Sequence, residues 1–177
     1  MPSSNRETGA AAGNGQANAW KYLRLAAIAG LIVLLDQITK TLILRSLPLY
    51  DSFPVIPGFF NITHIHNPGG AFGLLADGHP LLRKILFLAV SALAAGVVLY
   101  FYLKTPRSYI WLSAGFALIF GGAVGNLIDR LRFGIVVDFL LFYIGPYHWP
   151  AFNVADSAIT VGVAIFAFHI LFNKLPE

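Results

Sequence analysis

The sequence predicts an all-α integral membrane protein, with four transmembrane helices carrying a small extracytoplasmic β-rich region. Three observations predict it. Of the 177 residues, 57% are hydrophobic and 11% charged, whereas charged residues make up about a quarter of a soluble domain. The apolar residues are gathered into four long runs and are not spread in amphipathic periods, which favours lipid over a soluble core. The segments between the runs hold eight of the ten prolines, the Gly69-Gly70 turn and short aromatic, β-branched stretches typical of strands and turns.

Residues 1–19 are polar and rich in Gly, Ala, Asn and Ser. They carry too little bulky apolar surface to offset the entropy of ordering, and a disordered cytoplasmic tail is expected there. The membrane domain then occupies 20–177. Its first span covers about 20–47, long enough for roughly 30 Å of hydrocarbon at about 1.5 Å per residue, although Asp36 and Lys40 interrupt it. A cleaved signal peptide fits less well, because Asp36, Gln37 and Lys40 stand where a small-residue cleavage site would be needed. Three further spans are predicted at about 82–103, 109–128 and 155–172. Between the first two, Phe59 to Ile65 reads as a strand outside the lipid. Between the third and fourth, 133–143 reads as a strand or a shallow interfacial segment. Tyr147 and Trp149 beyond it suit the headgroup layer.

Lys and Arg near helix ends set the orientation. Arg6, Lys21 and Arg24 precede the first span, Lys104 and Arg107 occupy the short second loop, and Lys174 follows the fourth. These regions are expected in the cytoplasm, with both termini, and the long loops outside, where Arg83, Lys84, Arg130 and Arg132 also fall. The net charge of +4 is scattered along the edges of apolar runs. No basic stretch is dense enough to follow a phosphate backbone, so no nucleic-acid partner is expected. The sequence contains no cysteine, which excludes disulfides, a thiol nucleophile and Cys-ligated metal.

Acidic residues carry the chemical signal. Only eight Asp and Glu are present, and Asp129, Asp138 and Asp156 gather around the second outer loop. A carboxylate at the edge of lipid is costly unless it is paired, protonated or exposed to a watery cavity, so such residues are functional candidates. Two carboxylates a few Å apart resist double ionisation, so one keeps a proton while the other acts as a base. Such a pair hydrolyses a peptide without metal: the base takes a proton from the attacking water and the acid donates to the carbonyl oxygen. Asp156 opens the fourth helix and Asp138 lies on the segment returning toward it, which makes them the candidate pair.

Blander readings compete for each acid. Asn153, three residues before Asp156 at a helix start, has the spacing of a helix cap. Asn126, Asp129 and Arg130 share one side of a helical turn and fit a structural network. Asp36 and Lys40, four apart, form either a self-neutralising pair in lipid or a brace for the site. Asp51 and Asp77 read as solvated turn residues. Gly121 and Gly125 have the small-xxx-small spacing that lets helices approach closely. Asn67-Pro68-Gly69-Gly70 is a turn by composition. His64 and His66 would point the same way from a strand, yet no spacing typical of a metal site is present, and no metal or cofactor is expected. His148 and His169 read as interfacial or packing residues. Ser113 and Ser157 have no evident partner base.

Five segments in order, Asp36-Gln-Ile-Thr-Lys40, Asn67-Pro-Gly-Gly-Ala-Phe72, Gly121-Gly-Ala-Val-Gly-Asn-Leu-Ile-Asp-Arg130, Val136-Val-Asp-Phe139 and Phe152-Asn-Val-Ala-Asp-Ser157, resemble the lipoprotein signal peptidases (signal peptidase II). The resemblance implies a four-helix inner-membrane aspartic endopeptidase. Its substrates would be diacylglyceryl-modified prolipoproteins, cleaved just before the lipidated cysteine, and it would contact membrane lipids and act as a monomer with its site facing outward. It implies Asp138 and Asp156 as the catalytic pair, with Asp129 as a rival and otherwise supporting residue. Asn67, Gly70, Asn126, Arg130 and Asn153 would position substrate and dyad, and Asp36 with Lys40 would be the first-helix pair. Pro68 and Gly70 depart from the small residues, such as Thr and Ala, frequent in the first-loop motif. Two other classes remain as alternatives: a transporter or proton relay with acids at graded depths, and a structural membrane subunit.

Overall fold

The computed structural model describes residues 4–69 and 80–176, with side chains over 19–69 and 81–176. Four long helices, α1 (Ser4–Ser46), α2 (Pro80–Lys104), α3 (Ile110–Phe133) and α4 (Val154–Leu171), alternate with a four-stranded sheet. Their apolar lengths Ala19–Ser46, Leu81–Lys104, Ile110–Phe133 and Val154–Leu171 are sufficient to cross a membrane. The shortest, with 18 residues, rises about 27 Å at the usual helical pitch. The polar stretch 1–19, expected to be disordered, falls largely on residues whose side chains lie outside the described ones. Within it the backbone of α1 reaches back to Ser4. Hydroxyls in the spans bond carbonyls one turn back, as Thr41 does to Gln37, Ser91 to Phe87 and Ser113 to Tyr109, which satisfies them without water.

Helix α3 runs past the expected end at residue 128 because Asn126 to Phe133 continues without a breaker. Gly134, in the left-handed conformation at φ 75°, caps it, its N–H donating to the Arg130 carbonyl. Asn126, Asp129 and Arg130 therefore lie inside the helix, on its last two turns. α3 is the central helix, packed on α1, α2 and α4. Glycines make this possible. A Cβ at Gly121 would lie 2.9 Å from the Ala29 Cα of α1, and one at Gly125 would lie 2.8 Å from Asp36 Oδ2. One at Gly122 would collide with the Ala155 carbonyl of α4. The predicted small-residue stripe thus faces two neighbours at once, and Gly125 lets a carboxylate touch the α3 backbone.

At the opposite end of the bundle, Tyr102, Leu112, Phe116 and Ala117 form a buried cluster. The Lys21 ammonium donates to the carbonyls of Leu103 at 2.8 Å and Thr105 at 2.7 Å. It thereby caps the C-terminus of α2 and complements the helix dipole.

The sheet is antiparallel, in the order β1 (Ser52–Ile56), β2 (Phe60–Asn67), β3 (Val136–Ile144), β4 (Tyr147–His148). The strand readings at 59–65 and 133–143 correspond to β2 and β3. The sequence reading did not separate β1, whose Pro54 sits on the sheet edge, where a missing N–H leaves no ladder bond unmade. β2 meets β3 with Ile65 opposite Asp138 and Asn67 opposite Val136, after a register shift between Ile62 and Ile65. On the other side of β3, Phe152 exchanges bonds with Leu140 at 2.8 and 3.1 Å. That bridge pins the residue before Asn153 against β3, so the start of α4 is delivered to the strand that carries Asp138.

Replacing Gly122 by Val should lower the thermal midpoint of the detergent-solubilised protein by an amount equivalent to about 1–3 kcal/mol, the usual cost of overpacking. The same change at Gly96, whose missing Cβ faces open space, should leave the midpoint near wild type.

Candidate active site

Ten side chains from every helix except α2 and from two strands converge at one end of the bundle. Asp138 on β3 is 2% exposed. Its two oxygens accept from Asn153 Nδ2 at 2.7 Å and from Asn67 Nδ2 at 3.0 Å. Asp156, half-buried on the first turn of α4, accepts from Asn126 Nδ2 at 2.7 Å and from the Asn153 backbone N–H at 3.3 Å. Its own N–H donates to Asn153 Oδ1 at 2.9 Å. The helix-capping reading of Asn153 and Asp156 is therefore correct as far as it goes, since both halves of a capping box are present. The Asn153 side chain also donates to Asp138, so one residue links the two carboxylates, through its side-chain NH₂ to Asp138 and its backbone N–H to Asp156.

The two asparagine amides are oriented by what they face. Lys40 Nζ lies 2.9 Å from Asn126 Oδ1. An ammonium only donates, so the oxygen of Asn126 must face it and the NH₂ must face Asp156. Asn153 Nδ2 also lies 3.2 Å from Asn126 Oδ1 and 3.3 Å from the Val137 carbonyl. With two hydrogens to give, its shortest bond is the one to Asp138.

Behind this pair lies a buried ion network. Lys40 is 2.8 Å from Asp36 Oδ2 and 2.9 Å from Asp129 Oδ2, with all three side chains essentially inaccessible. The other oxygen of Asp36 accepts from the Ala155 N–H at 3.0 Å, one of the free donors that open α4. Asp129 Oδ2 accepts from the Val137 N–H at 3.1 Å, one residue before Asp138. The Asp36 and Lys40 pair thus contacts Asn126, Asp129 and the start of α4 in addition to neutralising itself, and Asp129 lies in the same ion network. Arg130 donates to the Asn126 carbonyl at 3.4 Å, and its charge interacts electrostatically with Asp156, Asp138 and Asp129.

Gly70 and Asp77 lie outside the described residues. Asp51, in the chain leading into β1, is exposed and takes no part. Ser113 and Ser157 donate to carbonyls one turn back and face no base. The sequence reading missed Gln37 as a site residue. Its Nε2 lies 3.0 Å from Asp129 Oδ1 and 3.2 Å from Asp36 Oδ2, and its Oε1 accepts from Arg132 at 3.3 Å. An amide within an apolar span, beside an acid, was the available signal.

Burial is the chief cause that pushes the Asp138 carboxyl up from 3.8 to about 6. The charge of Asp156 raises it further, while the donors Asn67 and Asn153 and the Lys40 charge oppose the rise. The arrangement holds two interacting carboxylates, one enclosed and one half-open, each fixed by amide donors. It can keep one proton on the pair and one basic oxygen available to a water molecule.

Fold and site together define a multi-pass membrane protein with an enzyme-like carboxylate centre at one end of its helix bundle. A family model described as signal peptidase (SPase) II matches residues 28–172. The chain is 57% identical to the lipoprotein signal peptidase of Desulforapulum autotrophicum over 160 residues, covering 90% of this chain and 99% of that one. It is 51% identical to the lipoprotein signal peptidase of Geobacter sulfurreducens, covering 82% of this chain and 89% of that one. A solved bacterial membrane enzyme superposes with a TM-score of 0.75 at 35% identity, over 85% of this chain and 88% of that one. The chain belongs to the signal peptidase II family.

An unfolded aspartate titrates near 3.8 and folded Asp138 near 6, so the native state binds this proton more tightly. The contribution favours folding below about pH 4 and is lost as pH rises through 6, by at most about 3 kcal/mol. Thermal midpoints of wild type and Asp138→Asn measured from pH 4 to pH 8 should therefore diverge, the variant gaining on wild type as pH rises.

Proposed function

We propose that the chain is a membrane-embedded aspartic endopeptidase that removes signal peptides from diacylglyceryl-modified prolipoproteins, cutting before the lipidated cysteine. The observation that carries this reading is the single amide of Asn153 bound to Asp138 while its cap geometry holds Asp156. The pair shares one proton. The ionised member takes a proton from water as the water oxygen bonds to the scissile carbonyl carbon, and the protonated member gives its proton to the carbonyl oxygen. Collapse of the tetrahedral intermediate breaks the C–N bond and returns a proton to the leaving amine, which becomes the N-terminus of the lipidated cysteine. No step requires a metal or cofactor. Arg130 limits the repulsion of the surrounding acids, and Asn67, Asn126 and Asn153 keep the carboxylates in place. Gly70, three residues after Asn67 in the sequence, is assigned to substrate contact by the resemblance alone.

The membrane supplies the substrate. A diacylated precursor stays in the bilayer, so its scissile bond is met at the lipid surface. An apolar groove of about 600 Å³ between α1 and α3, lined by Leu25, Ala29, Val33, Phe120 and Val124, runs up to Gln37 beside the ion network. It suits acyl chains. We assign the carboxylate end of the bundle and the sheet to the outer face, because Lys21, Lys104, Arg107 and Lys174 gather at the opposite end. Both termini are then cytoplasmic, residues 20–177 form the peptidase domain behind the tail 1–19, and one chain supplies the whole site, as a monomer requires. The carboxylates lie at one end of the bundle and not at graded depths, which favours surface chemistry over proton relay.

Asp138→Asn and Asp156→Asn should each lower kcat for cleavage of a diacylated precursor by about 10²–10⁴ while keeping a cooperative thermal transition. Retained cleavage in either variant would remove that residue from the pair. Asp129→Asn should mainly lower stability, because it leaves the Lys40 charge with one carboxylate, and loss of cleavage in a stable Asp129→Asn would transfer the role to Asp129.

A further inference from the structure

β2 carries two histidines that the chemistry above does not use. His64 and His66 are two apart on a strand, so their rings share one face. The ring centroids are 4.9 Å apart at 69°, and the two Nε2 atoms are 3.1 Å apart. His64 is buried, and its Nδ1 lies 2.8 Å from the Leu47 carbonyl. A carbonyl only accepts, so Nδ1 of His64 carries the hydrogen and the lone pair on Nε2 points at His66. A backbone carbonyl on one ring nitrogen, with the other nitrogen left unprotonated as an acceptor, is the arrangement that orients metal-ligating imidazoles. Burial and the neighbouring His64 hold the half-buried His66 below its ordinary pKa.

We propose that His64 and His66 form a two-imidazole chelate for a divalent transition metal, separate from the carboxylate site. At metal–nitrogen bonds of about 2.05 Å, two nitrogens 3.1 Å apart subtend about 98° at the ion. A tetrahedral angle needs a separation of about 3.3 Å, within reach of a small ring rotation. In the free state His66 donates its Nε2 hydrogen to His64. On binding, that hydrogen moves to Nδ1 of His66, so both rings remain neutral and both Nε2 lone pairs face the ion. Among the described residues no group of three or more His, Cys, Asp or Glu is gathered for a metal, so water fills the remaining positions. Imidazole donors with water favour Cu²⁺ first and Zn²⁺ after it over Mg²⁺ or Ca²⁺.

The test uses the full chain in detergent, with Cu²⁺ titrated in a non-coordinating buffer at pH 7.5 (about one unit above the imidazole range) and followed by electron paramagnetic resonance. One Cu²⁺ per chain with splitting from two nitrogens is expected, displaced by excess Zn²⁺. His66→Gln should weaken binding by at least about tenfold and leave at most one nitrogen, while its thermal midpoint without metal stays near wild type. His148→Gln should bind as wild type. Equal affinity and splitting in wild type and His66→Gln, or loss of the signal in His148→Gln, would overturn the proposal. Because the readout is binding, it stands apart from whether the carboxylate pair cleaves peptides.

Discussion

A lysine ammonium buried at the end of a helix bundle is the constraint around which the molecule is arranged. Lys40 is 1% exposed, and a cation removed from water is sustained only by opposite charge and donated lone pairs. Asp36 and Asp129 supply the charge, and Asn126 supplies the third acceptor. Each carboxylate also accepts a backbone N–H of a different element, Ala155 at the start of α4 and Val137 at the start of β3. Satisfying one buried charge therefore fixes where α4 begins and where β3 leaves α3. Those two positions determine where Asp156 and Asp138 project.

The same economy extends into the proposed catalytic pair. Asn126 passes the fixed orientation of Lys40 to Asp156, and Asn153 caps α4 while binding Asp138. No side chain in this shell has a single task. Gly125 belongs to it as well, because only a residue without Cβ lets the Asp36 carboxylate lie against α3. Holding Asp138 at a raised pKa costs stability at neutral pH, and the surrounding amide donors limit that cost.

Much of this was legible in the chain. Long apolar runs marked the four spans, because a lipid environment leaves little choice but helix. The Asp36 and Lys40 spacing disclosed an ion pair, and the Asn153 and Asp156 spacing a cap, since both are local geometry. What spacing alone left open was long-range. That Lys40 also meets Asp129, that Asp36 reaches Ala155 119 residues away, and that Asn153 has a second partner on β3 depend on how the elements stack, which leaves no periodic trace in the sequence. The apolar run of the third span ends near residue 128, yet α3 continues to Phe133, because the charges of Asp129, Arg130 and Arg132 do not break a helix. β1 escaped notice because Pro54 reads as a breaker although it stands on an edge, and Gln37 did so because an uncharged amide draws less attention than the acid beside it.

The most direct test of the carboxylate account is the pH dependence of kcat/KM for a diacylated precursor. A pair that works with one shared proton predicts a bell, with limbs belonging to Asp138 and Asp156 jointly and the acid limb flattened when either is changed. A profile that stays level from pH 4 to pH 9, across the range in which such a pair titrates, would contradict it.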